Sequence, residues 1–346
     1  MTKELLTLGS PLVTPSAPAI IRARTNDSIT FDQRTVDSTG AFLIGELERL
    51  DQKLHEPLVN ITWSRDIDLR SDVSIADETS SFTNSSFAAV GGMKPTGKAF
   101  VGKTATEVSG IALDIGKTAN PLYLWAMEVG FSIPELESAQ KLGRPVDAQK
   151  LAGLNLKHNM DTDEMVYIGD TELGKYGLVN STAVTNLANV ANGVAGTPAW
   201  TTKTPDEILK DVNELLTSVW AASGWAVCPS RLLVPPSQFG YLAITKVSTA
   251  GNMSLLKYLE ENSIALRTNG QALEILPSKW LVGRGVSTTD RMVAYTKDSE
   301  RVRFPLVPLQ RTPVEYRSLF QKTTYFGRLG VVEFVYPETL GYRDGI

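Results

Sequence analysis

Apolar residues return every three or four positions in several stretches of the chain, and each such stretch predicts a helix. Leu43, Leu47, Leu50 and Leu54 share one side while Glu46, Glu48, Arg49 and Lys53 point elsewhere, so a helix should end before Pro57. Between Ser132 and Gly143 a short helix is punctuated at both ends: Ser132 as the cap, Glu135 three residues on, Pro134 in the first turn and Gly143 at the close. A Gly143-Arg144-Pro145 break follows. The next helix is predicted from Pro145 or Val146 to about Met165, with Ala148, Ala152, Leu156 and Met160 as its apolar stripe and Leu151 beside it. Gln149, Lys150, Asn155, Lys157 and Asn159 make its other faces polar, so it should lie across a sheet with one side in water. The sharpest pattern comes later. Thr204, Pro205 and Glu207 open a helix whose stripe is Ile208, Val212, Leu215, Val219 and Ala222, and Gly224 stops it.

Strand patterns fill the gaps. Ile61, Trp63, Ile67 and Leu69 alternate with polar residues, which predicts a strand carrying Arg65 on its apolar face. Tyr167 to Asp170 reads as a strand and Gly177 to Asn180 as a turn. Leu232 to Val234 reads as a short buried strand, followed by a helix around Leu255 to Glu261 and strands near Leu273 to Leu276 and Met292 to Tyr295. Lys297 to Ser299 and Gly327 to Gly330 are expected to be turns. Three stretches lack periodicity. Met1 to Gly40 is rich in Ser, Thr, Pro and Asn and reads as an extended arm; Ala183 to Thr204 reads as a linker or surface loop. Ser71 to Lys117, dominated by small and polar residues before a run through Ile111, Leu113 and Ile115, cannot build its own core. A long ribbon of this kind is marginal alone in water, so it should be disordered or laid on something else.

The order short helix, Gly-x-Pro-apolar-Asp break, long helix and apolar-Gly…Gly-Leu turn resembles the backbone-helix region of tailed-phage major capsid proteins and encapsulin shells. These share the fold named after bacteriophage Hong Kong 97. Phe42 to Pro57-Leu58, followed by Ile61 to Ile67, resembles the opening of a capsid subunit of the encapsulin-related branch, and Val314 to Pro337 resembles its closing strands. The resemblance implies an α+β fold divided into an N-terminal arm and first helix (1–57), an extended hairpin loop (58–120), a peripheral domain with the backbone helix (121–182), an axial domain (183–300) and return strands of the peripheral domain (301–346). It implies a structural protein that is not an enzyme: copies form pentamers and hexamers of an icosahedral head, assembled in the host cytoplasm around double-stranded DNA. Portal, scaffolding and decoration proteins are the expected partners besides the chain itself. No long charged helical segment precedes the arm, so a separate scaffold, or none, is expected. An encapsulin-type compartment is the alternative within the same class. Trp63, Arg65 and Asp66 are candidates for the base of the hairpin. Lys94, Lys98 and Lys103 lie within the hairpin, where some capsids of this fold form a Lys to Asn isopeptide link, although no Asn and Glu partners are recognisable.

Composition narrows the remaining classes. The chain has 346 residues, 42% of them hydrophobic and 21% charged, enough for about two cores. A net charge of -4 argues against a protein that grips phosphate through overall positive charge. No stretch approaches a membrane span, and Met1 to Ser10 has no signal-like apolar core, so the chain is expected to stay in the cytoplasm where it is made. The one cysteine, Cys228, sits among Trp225, Ala226 and Val227 and reads as a buried thiol that packs as a small hydrophobe.

Catalytic constellations are sparse. Gly97 to Thr104 satisfies the phosphate-loop pattern, but that chemistry needs a buried strand entering and a helix leaving, and the flanks promise neither. His55 and His158 read as solvated or satisfied helix residues; Asp161, Asp163 and Glu164 read as a charged helix end without calcium-loop spacing. Asp66 with Asp68, and Glu260 with Glu261, are expected at charged surface positions. No cofactor or metal is implied.

Overall fold

A computed structural model describes residues 59–90, 103, 110–141, 146–184, 186–248 and 252–346. The expected arm, the Leu43 to Leu54 helix, His55, Lys94, Lys98, Gly143 and nearly all of Gly97 to Thr104 lie outside these residues.

In chain order the first elements are α1 (Trp63–Asp66), β1 (Asp68–Arg70), β2 (Thr79–Val90), β3 (Gly110–Pro121), β4 (Tyr123–Ser132), α2 (Ile133–Lys141) and α3 (Val146–Tyr167). After a long irregular segment come α4 (Pro205–Ala222), β5 (Arg231–Val234), α5 (Pro236–Ile244), α6 (Leu255–Asn262), α7 (Ile264–Asn269), β6 (Glu274–Pro277) and β7 (Arg291–Tyr295). The chain closes with β8 (Val302–Arg311), β9 (Glu315–Arg317), β10 (Phe320–Leu329), β11 (Glu333–Phe334) and β12 (Gly341–Asp344). Three sheets result. A six-stranded sheet runs β1-β8-β10-β4, with β11 added to β8 and β9 to β10; a four-stranded sheet runs β12-β7-β5-β6; among the described residues β2 and β3 pair only with each other.

The four-stranded sheet lies between two cores, which explains the apolar runs Leu232 to Val234 and Met292 to Tyr295 in β5 and β7. Leu232, Val234, Met292 and Ala294 face one cluster, built with Ile208, Val212, Leu215, Leu216 and Val219 of α4. Leu233, Val293 and Tyr295 face the other, with Ile67, Val166, Tyr167, Phe304 and Val332. Successive side chains of a strand point to opposite faces, so a strand buried on both sides has no polar alternation.

Several expectations are corrected. Trp63 to Asp66 forms a helical turn, and only Asp68–Arg70 is strand. Tyr167 ends α3 and Ile168 to Asp170 forms no strand: Gly177 packs its backbone against that of Tyr167 so closely that no Cβ fits there. The buried stripe of α3 contains Leu154, His158, Thr162 and Val166, whereas Ala148 and Met160 are exposed. The inward face is partly polar, so a hydrophobic pattern selected the wrong side. Ala183 to Thr204 is no loose linker, because Val184, Val190 and Trp200 are buried and the Leu187 and Val190 amides donate to Tyr342 and Asp344 carbonyls at 3.0 and 2.9 Å. The 301–346 segment is divided: β12 pairs with β7 in the four-stranded sheet, where Arg291 Nε meets Asp344 at 2.6 Å. Gly327 lies within β10, where the register against β8 shifts between Phe326 and Arg328.

Candidate assembly site

The ribbon β2–β3 is in register from Thr79↔Pro121 to Val90↔Gly110. Residues directly opposite in a sheet share a face, so the pairs Phe87↔Leu113, Ser85↔Ile115 and Ala89↔Ile111 place Phe87, Ile111, Leu113 and Ile115 together. The opposite face carries Asn84, Ser86, Asp114 and Thr118, with Phe82 across from Thr118. Among the described residues nothing covers the apolar side: Phe87 is 73%, Ile111 80%, Leu113 53% and Ile115 61% exposed. Contiguous exposed apolar faces of this size mark contact surfaces.

Trp63, Arg65 and Asp66 are brought together where α3 meets the four-stranded sheet. Asp66 is fully buried. Arg65 grips its carboxylate with Nε at 2.7 Å and Nη2 at 2.8 Å, the Tyr167 hydroxyl donates to it, and Arg231 stands 3.9 Å away. The Asp66 carbonyl accepts from Tyr295 at 2.6 Å. Burial first, and then the Asp66 charge, push both phenols well above the ordinary tyrosine range, so they stay donors. Asp163 explains why this segment turns helical. Its Oδ1 accepts the Thr62 and Trp63 amides at 2.9 and 3.0 Å, capping α1 from a helix about a hundred residues away, and its Oδ2 accepts from Trp280 at 2.7 Å. Asp66 and Asp163 are therefore buried structural groups, whereas Asp66 was expected at a charged surface position and Asp163 at a charged helix end. Asp68 pairs with Lys297 at 3.4 Å, and Glu261 pairs with Lys257 on α6 at 3.6 Å.

The root of the ribbon is built by residues that the sequence did not single out. Glu333, fully buried, gathers Ser80 of β2, Arg70 and Arg303, and Arg328 holds the Leu122 carbonyl at 3.1 Å where β3 passes into β4. Glu333 follows Val331 and Val332 in an apolar run, and that misplaced charge was the available signal. Lys103 is exposed in a turn.

Little here suggests chemistry. Among the described residues no group of three His, Cys, Asp or Glu side chains could hold a metal ion, and no helix is long and apolar enough to cross a membrane. Gly110 to Pro121, after the phosphate-loop pattern, is strand and not helix. Cys228 is buried, which raises its thiol pKa. His158 is buried edge-on against Trp125 at 4.9 Å between ring centroids, with Nε2 unpartnered; burial holds its pKa below the ordinary value, against an opposing pull from Asp161.

Solved structures share this architecture. A chain from the capsid of Myoviridae phage XM1 matches with a TM-score of 0.68 at 18% identity, covering 87% of this chain and 98% of that one. The capsid of a native GTA particle matches with a TM-score of 0.58 at 12% identity, over 89% and 97% of the two chains. A chain of Mycobacterium phage Bobi gives 0.55 at 15% identity, over 89% and 97%. These likenesses are of fold, the Hong Kong 97-like fold of tailed-phage capsids. No curated protein matches the chain. The family described as major capsid protein matches residues 97–346, which take in β3, both sheets beyond β1 and every helix from α2 onward. That match spans well over half of the chain, and this chain belongs to the major capsid protein family.

Proposed function

We propose that copies of this chain associate into pentamers and hexamers and close into the icosahedral head of a tailed bacteriophage around double-stranded DNA, with the β2–β3 ribbon of each copy laid across its neighbour. The observation that supports this reading is the shared face of Phe87, Ile111, Leu113 and Ile115, which is apolar and exposed. Fully burying one such side chain contributes about 1.5–3 kcal/mol. Repeated around closed rings, modest contacts of this size suffice for a symmetric shell.

In this reading 1–57 is the arm and first helix, 58–120 the hairpin, and 121–182 with the strands after 301 the peripheral domain. The axial domain is 183–300, joined by β12. The chain has no catalytic role. A net charge of -4 suits a wall that encloses DNA without sequence-specific binding. Assembly takes place in the host cytoplasm with portal, scaffolding and decoration proteins as partners. Replacing 83–117 with a short Gly-Ser turn should leave the melting temperature of the unassembled protein nearly unchanged, since little core is removed. Sedimentation and negative-stain electron microscopy should then find no shells. Normal shells from the shortened chain would overturn the role given to the ribbon.

A further inference from the structure

The Glu333 carboxylate lies where the ribbon leaves the body, and segments from three other parts of the chain converge on it. Ser80 of β2 donates its hydroxyl to Oε1. Arg303 of β8 donates Nε to Oε2 at 2.8 Å. Arg70 of β1 reaches both carboxylate oxygens from Nη1 at 3.3 Å, and the same nitrogen lies 2.9 Å from Ser80 Oγ and 3.0 Å from the Ser81 carbonyl. Just beyond, Asn84 Nδ2 donates to the Val335 carbonyl at 3.3 Å, so β2 follows the segment that carries Glu333. The companion strand is held separately by Arg328, which also reaches the Ile75 carbonyl at 2.7 Å.

A two-stranded ribbon has no packed layer to hold its angle, so its direction depends on what grips its root. A buried carboxylate shared by two guanidinium groups is directional and costly to leave half paired, and it admits few arrangements of the strands around it. We propose that Glu333 is the positioning residue that fixes the direction in which the ribbon leaves the sheet, and thereby the curvature of the shell that the copies close into. This rests on the reading that the ribbon crosses to a neighbouring copy.

Two variants of the full chain test it. Glu333→Gln keeps the side chain's shape but withdraws the charge from both arginines. Ser80→Ala cuts the strand's own tie and leaves the arginine pairs in place. Amide exchange at 79–84 should become at least about tenfold faster in both variants while 291–295 is unchanged, since local opening needs less free energy where a root contact is lost. Shells should vary in diameter or remain open in electron micrographs. Parental exchange at 79–84 together with a single shell diameter in both variants would overturn the proposal. If Glu333→Gln does not fold, Ser80→Ala decides by the same two measurements. Should the shortened ribbon described above assemble normally, the ribbon reading fails and exchange at 79–84 alone judges the latch. Should shortening abolish shells while both variants close uniformly, the latch fails and the ribbon reading stands.

Discussion

The helix α4 and the ribbon β2–β3 carry similar numbers of large apolar side chains, yet among the described residues one set is enclosed and the other is left open. Ile208, Val212, Leu215 and Leu216 are fully buried against β5, β7 and α6, whereas Phe87, Ile111, Leu113 and Ile115 stay mostly exposed. The α4 stripe lowers the free energy of the folded copy. In the proposed function the ribbon face has no such effect until a neighbour arrives. On that reading stability of the subunit and stability of the shell reside in different residues, and substitutions should separate them.

The largest loss of subunit stability is expected at Asp66, where the body is tied together. Asp66→Ala would leave Arg65, Arg231 and Tyr167 facing a buried site without their partner. Breaking one side of a buried pair costs about 3–5 kcal/mol, so urea unfolding should show a sharply lower midpoint or the protein should be insoluble. Leu215→Ala removes a fully buried side chain and should cost about 2–5 kcal/mol by the same measurement. Gly341→Ala is a small insertion: the new methyl would press into Val219 and approach Leu215, where α4 meets β12. Overpacking of this kind costs about 1–3 kcal/mol. None of these should alter the ribbon's exchange before global unfolding.

The smallest effect is a pH dependence. A histidine whose folded pKa lies below its ordinary value leaves the unfolded chain binding more protons, so stability is full above the ordinary value of 6.5 and declines as pH falls toward the folded value. Melting temperature should therefore drop between neutral pH and about pH 5, and His158→Gln should flatten that slope. An equally steep decline in His158→Gln would place the responsible group elsewhere.

Legibility followed the kind of interaction that set each element. The helix at Thr204 to Ala222 was fully readable, because its cap, its first proline and its stripe are local signals; Thr204 N indeed donates to Glu207 at 2.8 Å. The short strands β5, β6 and β7 were readable from apolar runs, and the ribbon from its lack of any core. Trp63 to Asp66 was misread because alternation favours a strand, while the cap that makes it helical comes from Asp163 on another element. The inward face of α3 was misread because His158, Thr162 and Asp163 are polar by type and buried by partnership.

The sequence by itself determined the helices with local caps, the continuously apolar strands, the weakness of the ribbon as an independent structure and the resemblance to shell proteins. The first three depend on residues within a few turns of one another or on composition, and the resemblance on the order of such local motifs along the chain. Only the tertiary structure decided that Asp66 and Asp163 are buried linchpins, that Glu333 gathers the root of the ribbon, and that β12 returns to the four-stranded sheet. A buried charge is stable only with partners, and those of Asp66, Asp163 and Glu333 include residues about a hundred or more positions away.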